Sequence, residues 1–198
     1  MKNCLLIIGV VLAAVIVPVS VIYGRPLRRA KIRVEDARLT RFALVTAPAP
    51  ALAYNLTLAL AVHNTNWPIG ITYHEPLEAA YSFDGQQFDR VRVADEGDKL
   101  GGGRTEVYHV SSGSEEGGSA VALGDAGEAE FRKQNATGVF EVEVAITGKF
   151  KYTLRLIKCK VQATCALKLQ LAPPPGATGA VVFQEVDCKI AKPENENC

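Results

Sequence analysis

Strict alternation of apolar and polar residues is the feature that constrains this chain most. Tyr54, Leu56, Leu58, Leu60 and Val62 share one parity, with Asn55, Thr57, Ala59, Ala61 and His63 on the other. A period of two marks a strand with one buried face. Asn64 to Pro68 supply turn residues, because Asn tolerates left-handed backbone and Pro presets φ. Alternation resumes over Ile69–His74 and Leu77–Phe83, each read as a strand. Asp84-Gly85 follows, the dipeptide best suited to a tight hairpin, with Phe88–Val93 returning from it. The period recurs at Phe140, Val142, Val144 and Ile146. Gly148-Lys149 is then expected to turn the chain, and Phe150 to Leu156 to run back. Cys165–Leu171 and Val181–Ile190 read as the last strands, separated by Pro173-Pro174-Pro175-Gly176. Ile32–Leu44 reads as the first strand, with a bulge where the apolar phase slips. Thr46 to Ala53 reads as a connector, Asp95 to Thr105 as a solvated loop, and Asp125–Gln134 as one short helix. The expected fold is all-β with minor α: an antiparallel β-sandwich similar to a fibronectin type III arrangement.

Several pieces of this pattern carry a resemblance. Asn64-Thr65-Asn66, Ile69-Gly70-Ile71-Thr72-Tyr73, Leu77-Glu78-Ala79 and Asp84-Gly85-Gln86-Gln87-Phe88 form an ordered set. This set resembles the core signature of a plant family. The family comprises the harpin-induced-like and non-race-specific disease resistance-like membrane proteins, which carry a late embryogenesis abundant group 2 domain. The matching positions are Asn64, Asn66, Ile69, Gly70, Ile71, Tyr73, Leu77, Glu78, Gly85 and Phe88. Thr65 stands where the family usually has Pro, Trp67-Pro68 fills the spacer, and Thr72 and His74 replace Tyr and Asp. Val34 to Phe42 is similar to the strand that follows the family's membrane anchor. The resemblance implies a plasma-membrane protein with an outward-facing domain and a role in plant defence or stress response.

Leu5 to Ile22 is eighteen residues without a charge. As a helix it spans roughly 27 Å, close to the hydrocarbon thickness of a bilayer. It reads as a transmembrane anchor, because it is longer than a signal-peptide core and no small-x-small cleavage site follows it. The expected organisation is a short cytoplasmic tail at 1–4, an anchor at 5–23, a basic stalk at 24–33, a domain at 34–192 and a tail at 193–198. Cleavage near Gly24, releasing a secreted or soluble stress-protectant domain, is the alternative. Arg25 to Arg41 holds seven basic and two acidic residues, whereas the remainder from Phe42 holds fourteen and nineteen. A folded part of acidic balance argues against nucleic-acid binding.

Orientation is contested by these charges. The stalk favours a cytoplasmic C-terminal side under the positive-inside rule. The sequons at Asn55 and Asn135, four cysteines towards the C-terminus and the resemblance favour the opposite side. The domain is read as extracytoplasmic and glycosylated. Cys165 lies eleven residues before Gly176 and Cys188 twelve after it, so a hairpin places them opposite one another and predicts a disulfide. Cys159 is left to pair with Cys198 or to stay free.

No constellation for chemistry emerges. There is no Gly-x-Ser-x-Gly elbow. The Gly101-Gly102-Gly103-Arg104 run lacks a Lys after its second Gly and is no phosphate loop. His63, His74 and His109 have no metal-ligand spacing, and Asp95, Glu96 and Asp98 lack a calcium-loop register. No cofactor, metal or catalytic residue is expected. The reading is a non-enzymatic, single-pass module acting by adhesion or partner binding, with a membrane co-receptor or a cell-wall component as its partner. Trp67, the chain's single Trp, reads first as closing an end of the sandwich and second as a partner anchor.

Overall fold

The computed structural model describes residues 2–24, 27–45, 51–114, 122–153, 157–173 and 183–192, with side chains in the first segment described at 7–20 and Gly24. The chain opens with helix α1 (Lys2–Gly24), which contains Pro18. Ile7, Ile8, Val10, Val11, Leu12, Val15, Ile16, Val17 and Val19 of α1 are all exposed, so apolar side chains surround the helix. Among the described residues no helix is long and apolar enough to cross a membrane. Leu5 and Ile22, the ends of the expected span, lie in α1 with side chains outside the described residues.

The strands follow as β1 (Lys31–Val45), β2 (Ala51–His63), β3 (Ile71–Phe83), β4 (Gln86–Ala94), β5 (Lys99–Leu100) and β6 (Thr105–Gly113). Helix α2 (Gly124–Thr137) precedes β7 (Val139–Tyr152), β8 (Ile157–Gln170), β9 (Val186–Asp187) and β10 (Lys189–Ile190). One sheet has the order β6-β2-β1-β9; the other runs β10-β8-β7-β3-β4, with β5 on the end of β3. Named strand pairs are antiparallel. The inner faces share one core, to which Val34, Leu39, Leu56 and Leu60 come from the first sheet and Tyr81, Phe83, Val144 and Cys165 from the second. All-β with minor α is therefore the architecture.

Each departure from the sequence reading has a local cause. β1 slips register between Val34 and Asp36 and again between Leu39 and Arg41. These slips keep Val34, Ala37, Leu39 and Phe42 all buried although their parity changes. β1 extends the strand expected at Ile32–Leu44 by one residue at each end, so the expected stalk at 24–33 overlaps it, and Ala30 and Ile32 are already buried. β2 begins at Ala51, within the expected connector. The two strands expected at Ile69–His74 and Leu77–Phe83 are one, β3, with register shifts between Tyr73 and Glu75 and, across Pro76, between Glu75 and Glu78. Proline has no N–H to give the ladder, so the strand bulges past it instead of ending.

The turn expected at Gly148-Lys149 is absent, and β7 runs straight through to Tyr152. A Cβ on Gly148 would lie 3.0 Å from Leu77 Cδ1 and 3.2 Å from Pro76 O. That glycine lets β3 and β7 approach beside the bulge; it does not bend the chain. The buried parity, indeed, continues unbroken from Phe140 to Tyr152. The Asp84-Gly85 hairpin is as expected: both residues have positive φ, 49° and 75°, as a type I′ turn requires. Val181–Ile190, read as one strand, contributes two short pieces, β9 on the first sheet and β10 on the second. Residues 181 and 182 lie outside the described residues.

Helix α2 ends on Gly138, whose φ of 72° and N–H bonds to Gln134 and Asn135 carbonyls close the last turn. Its Phe131 is buried with Phe42, Phe83 and Phe140 at the hairpin end of the sandwich. Along the β4–β6 edge the sheets meet through hydroxyls instead. Tyr73 and Tyr108 hydroxyls lie 3.0 Å apart, Tyr108 donates to Glu106 at 3.0 Å, and Ser112 donates to Asp89. Burial pushes the Tyr54 and Tyr73 hydroxyls up to about 12, with the Asp89 charge adding to Tyr54. Burial raises Tyr81 and Tyr108 as well.

A pH dependence follows from these phenols. Unfolded tyrosines ionise near pH 10. Between about 10 and 12 the unfolded chain thus releases protons that the folded chain keeps, and stability falls as pH rises. The urea midpoint is expected to fall between about pH 10 and 12, and Tyr73→Phe is expected to flatten that fall. An unchanged slope in the variant counts against Tyr73 as a source.

Candidate functional site

The signature residues build one end of the sandwich and the strand that leaves it. Asn64 is fully buried and Asn66 nearly so, in the loop between β2 and β3. Asn64 Nδ2 donates to the carbonyls of Ile69 at 2.8 Å and Gly101 at 3.1 Å. Asn64 Oδ1 accepts the Asn66 N–H at 3.0 Å, and the Asn64 N–H donates to Arg104 O at 2.9 Å. A buried primary amide offers two donors and one acceptor oxygen. Asn64 uses them to tie its own loop to the 101–104 loop.

Asn66 turns the same chemistry outward, to the segment that joins α1 to β1. The Arg28 N–H donates to Asn66 Oδ1 at 2.6 Å, and Asn66 Nδ2 donates back to Arg28 O at 2.5 Å. The side-chain amide therefore pairs with the backbone of Arg28 as a neighbouring strand would. Thr65 Oγ1 donates to Arg29 O at 2.9 Å. Tyr152 OH donates to Arg28 O at 3.4 Å, and the Thr153 N–H to Gly70 O at 3.0 Å. Thr65, where the family usually has Pro, supplies a donor that Pro lacks. The result is a latch holding residues 28 and 29 against the domain.

The 101–104 loop is more than a solvated loop. A Cβ on Gly102 would lie 2.8 Å from Asn66 O and 2.9 Å from the Pro68 carbonyl carbon, so only glycine permits this approach. Trp67 stands on the outside of this braced backbone. Its side chain is 75% exposed, the most exposed large apolar side chain of the described sandwich. Neither core packing nor closure of the sandwich end accounts for it. Gly102 reads in the sequence only as part of a solvated loop that is no phosphate loop, although three consecutive glycines are a signal of close backbone approach.

The remaining signature residues are structural. Ile69, Ile71, Tyr73, Leu77 and Phe88 are buried, Gly85 holds the hairpin, and Glu78 pairs with Arg90 at 3.3 Å. Asn55 is exposed within β2, opposite Arg41 and Gly113, and Asn135 is exposed in the last turn of α2. Cys165 and Cys188 form a disulfide with Cα atoms 4.4 Å apart, continuing the β8–β10 register of Thr164 with Lys189. Cys159 is disulfide-bonded too. His63 Nδ1 lies 2.9 Å from Thr105 Oγ1, and Asp98 caps its own loop by accepting the Asp95 N–H at 3.0 Å. At the opposite end, a cavity of about 300 Å³ is walled by Asp84, Glu130, Glu141 and Glu143 with Lys168.

No family model matches the chain. NDR1/HIN1-like protein 10 of Arabidopsis thaliana is 28% identical over 169 residues, covering 81% of this chain and 70% of its own length. NDR1/HIN1-like protein 2 of the same plant is 29% identical over 164 residues, covering 80% of this chain and 64% of its own. A crystal structure of a protein from Archaeoglobus fulgidus aligns with 70% of this chain and 99% of its own at 10% identity, but its TM-score of 0.34 supports no argument on fold. Two relatives of one name thus each align over four-fifths of this chain, which is similar to the NDR1/HIN1-like proteins.

Proposed function

We propose that the chain is a single-pass plasma-membrane protein of plant defence or stress response. In this reading its sandwich is a late embryogenesis abundant group 2-like, non-enzymatic binding module held outside the cytoplasm. The carrying observation is the uncharged run Leu5 to Ile22, which extends at both ends beyond residues 7–20, where the side chains of α1 are described. A helix apolar on every side has no face suited to water, and lipid is the solvent that fits it. The disulfide between Cys165 and Cys188 supports an oxidising compartment and hence the outward orientation. Strand orders β6-β2-β1 and β8-β7-β3-β4 support a fibronectin type III-like arrangement, a scaffold whose loops and edges serve binding. A co-receptor in the membrane or a cell-wall component is the partner class this placement favours.

Alkaline extraction of plant membranes, followed by glycosidase treatment and protease protection, tests this reading. The protein is expected to stay with the membrane, to gain mobility on deglycosylation, and to lose that shift when Asn55 and Asn135 are both changed to Gln. Release of a product shortened by about the length of α1 would support the cleaved, secreted alternative. Protection of the domain on the cytoplasmic side would overturn the topology.

A further inference from the structure

The latch end of the sandwich has a charge pattern that folding does not require. Four described segments meet there: 27–31, 64–70, 99–105, and 151–153 with 157–158. Together they carry Arg28, Arg29, Lys31, Lys99, Arg104, Lys151 and Lys158, and no carboxylate. Asp98 and Glu106, which flank the 99–105 segment, accept from the Asp95 N–H and the Tyr108 hydroxyl and offset only two of these seven cations. At the opposite end Asp84, Glu130, Glu141 and Glu143 lie together with cations, Glu130 pairing with Lys133 and Glu141 with Lys168 at 3.0 Å each. The latch end is thus a basic pole.

Trp67 stands at the basic pole, exposed on a backbone that Asn64, Asn66 and Gly102 hold in place. A rigid, exposed indole on an end of the fold that carries a surplus of cations fits the zone between water and acyl chains, where Trp is enriched and Arg pairs with phosphate. The distance to α1 agrees. Arg28 is latched to the domain, and it lies only four Cα steps from Gly24 at the helix end. Fully extended they reach about 14 Å. If α1 lies in a bilayer, this pole cannot lie far from its surface.

We propose that the latch end is a lipid-facing surface. Trp67 seats at the headgroup–acyl boundary, and Arg28, Arg29 and Arg104 bond the phosphates of the leaflet that α1 enters. This inference rests on the reading of α1 as an anchor. The latch engages Arg28 and Arg29 through their backbones, so replacing their side chains leaves those bonds intact and removes one exposed bond, from the Arg29 guanidinium to Ala191 O at 3.1 Å.

Because Trp67 is the single Trp, its fluorescence reports on this surface without labelling. The full-length chain is reconstituted into phospholipid vesicles, recovered by flotation, and probed with acrylamide and with lipids brominated at shallow acyl positions. A blue-shifted emission, a several-fold loss of acrylamide quenching relative to the chain in detergent micelles, and strong quenching by the brominated lipid are expected. Arg28→Gln/Arg29→Gln/Arg104→Gln should float equally well yet regain acrylamide quenching. A wild-type chain that floats while Trp67 stays open to acrylamide and insensitive to bromine overturns the surface and leaves the anchor standing. A blue shift that follows protein density and ignores bromine assigns the surface to contact between copies and overturns the proposal. A chain that does not float overturns the anchor, and this placement with it.

Discussion

Phe42→Ala is expected to lower the unfolding free energy by about 3–5 kcal/mol, the range for deleting a buried aromatic. Phe42 is 3% exposed and is the point at which separate elements converge. Its ring centroid lies 5.3 Å from Phe83 in β3, 6.2 Å from Phe88 in β4, 5.8 Å from Phe131 in α2 and 4.8 Å from Phe140 in β7. Three of these pairs are edge-to-face, the arrangement that the aromatic quadrupole favours. Removal leaves a cavity that cannot collapse without moving both sheets and the helix, so the upper part of the range applies. The urea midpoint should drop at nearly constant slope, with loss of α2 helicity at lower urea than the strands. Trp67→Ala, at an exposed site of similar ring size, is the control and should cost within about 0.5 kcal/mol. Equal midpoints for the two variants would show that the cluster is not the hub of the fold.

Loss of the Cys165–Cys188 disulfide, in the double variant Cys165→Ala/Cys188→Ala, is expected to cost about 3 kcal/mol. The bridge closes a loop across a separation of 23 residues, and chain entropy gives about that value. Its position adds a second consequence. Cys188 sits where the chain passes from β9, on the first sheet, to β10, on the second, and its N–H donates to Ile32 O at 3.0 Å. Arg33 meets Glu185 at 3.0 Å and Asp187 at 2.8 Å, both exposed pairs of little stabilising weight. The disulfide is therefore what pins this strap across the two sheets. Hydrogen exchange in the double variant should rise first at residues 186–190. Exchange there that matches the wild type, with an unchanged urea midpoint, would mean that the strap holds without its covalent clip.

Alternation alone was enough to establish that this chain is β-rich, which faces are buried, and where the Asp84-Gly85 hairpin lies. These are consequences of backbone geometry over a few residues, which each segment carries within itself. The pairing of Cys165 and Cys188 was legible from near-equal counts on either side of Gly176, although Val186 and Asp187 pair with β1 and only Lys189 and Ile190 with β8. Glycine and proline were where the local reading failed. Gly148 looks like a turn but makes room for Leu77 and Pro76, and Pro76 looks like an ending but sits in a bulge within β3. Gly102 looks like solvent loop but permits contact with the Asn66–Ile69 backbone. Which role such a residue takes depends on what lies across from it, and that partner is chosen by the whole fold. The latch shows this most fully. Asn64 and Asn66 stand out in the sequence, yet nothing local says that Asn66 must bond to Arg28, 38 residues away. That choice follows once the two sheets close and bury both amides, because a buried amide must find partners wherever the tertiary structure has left them.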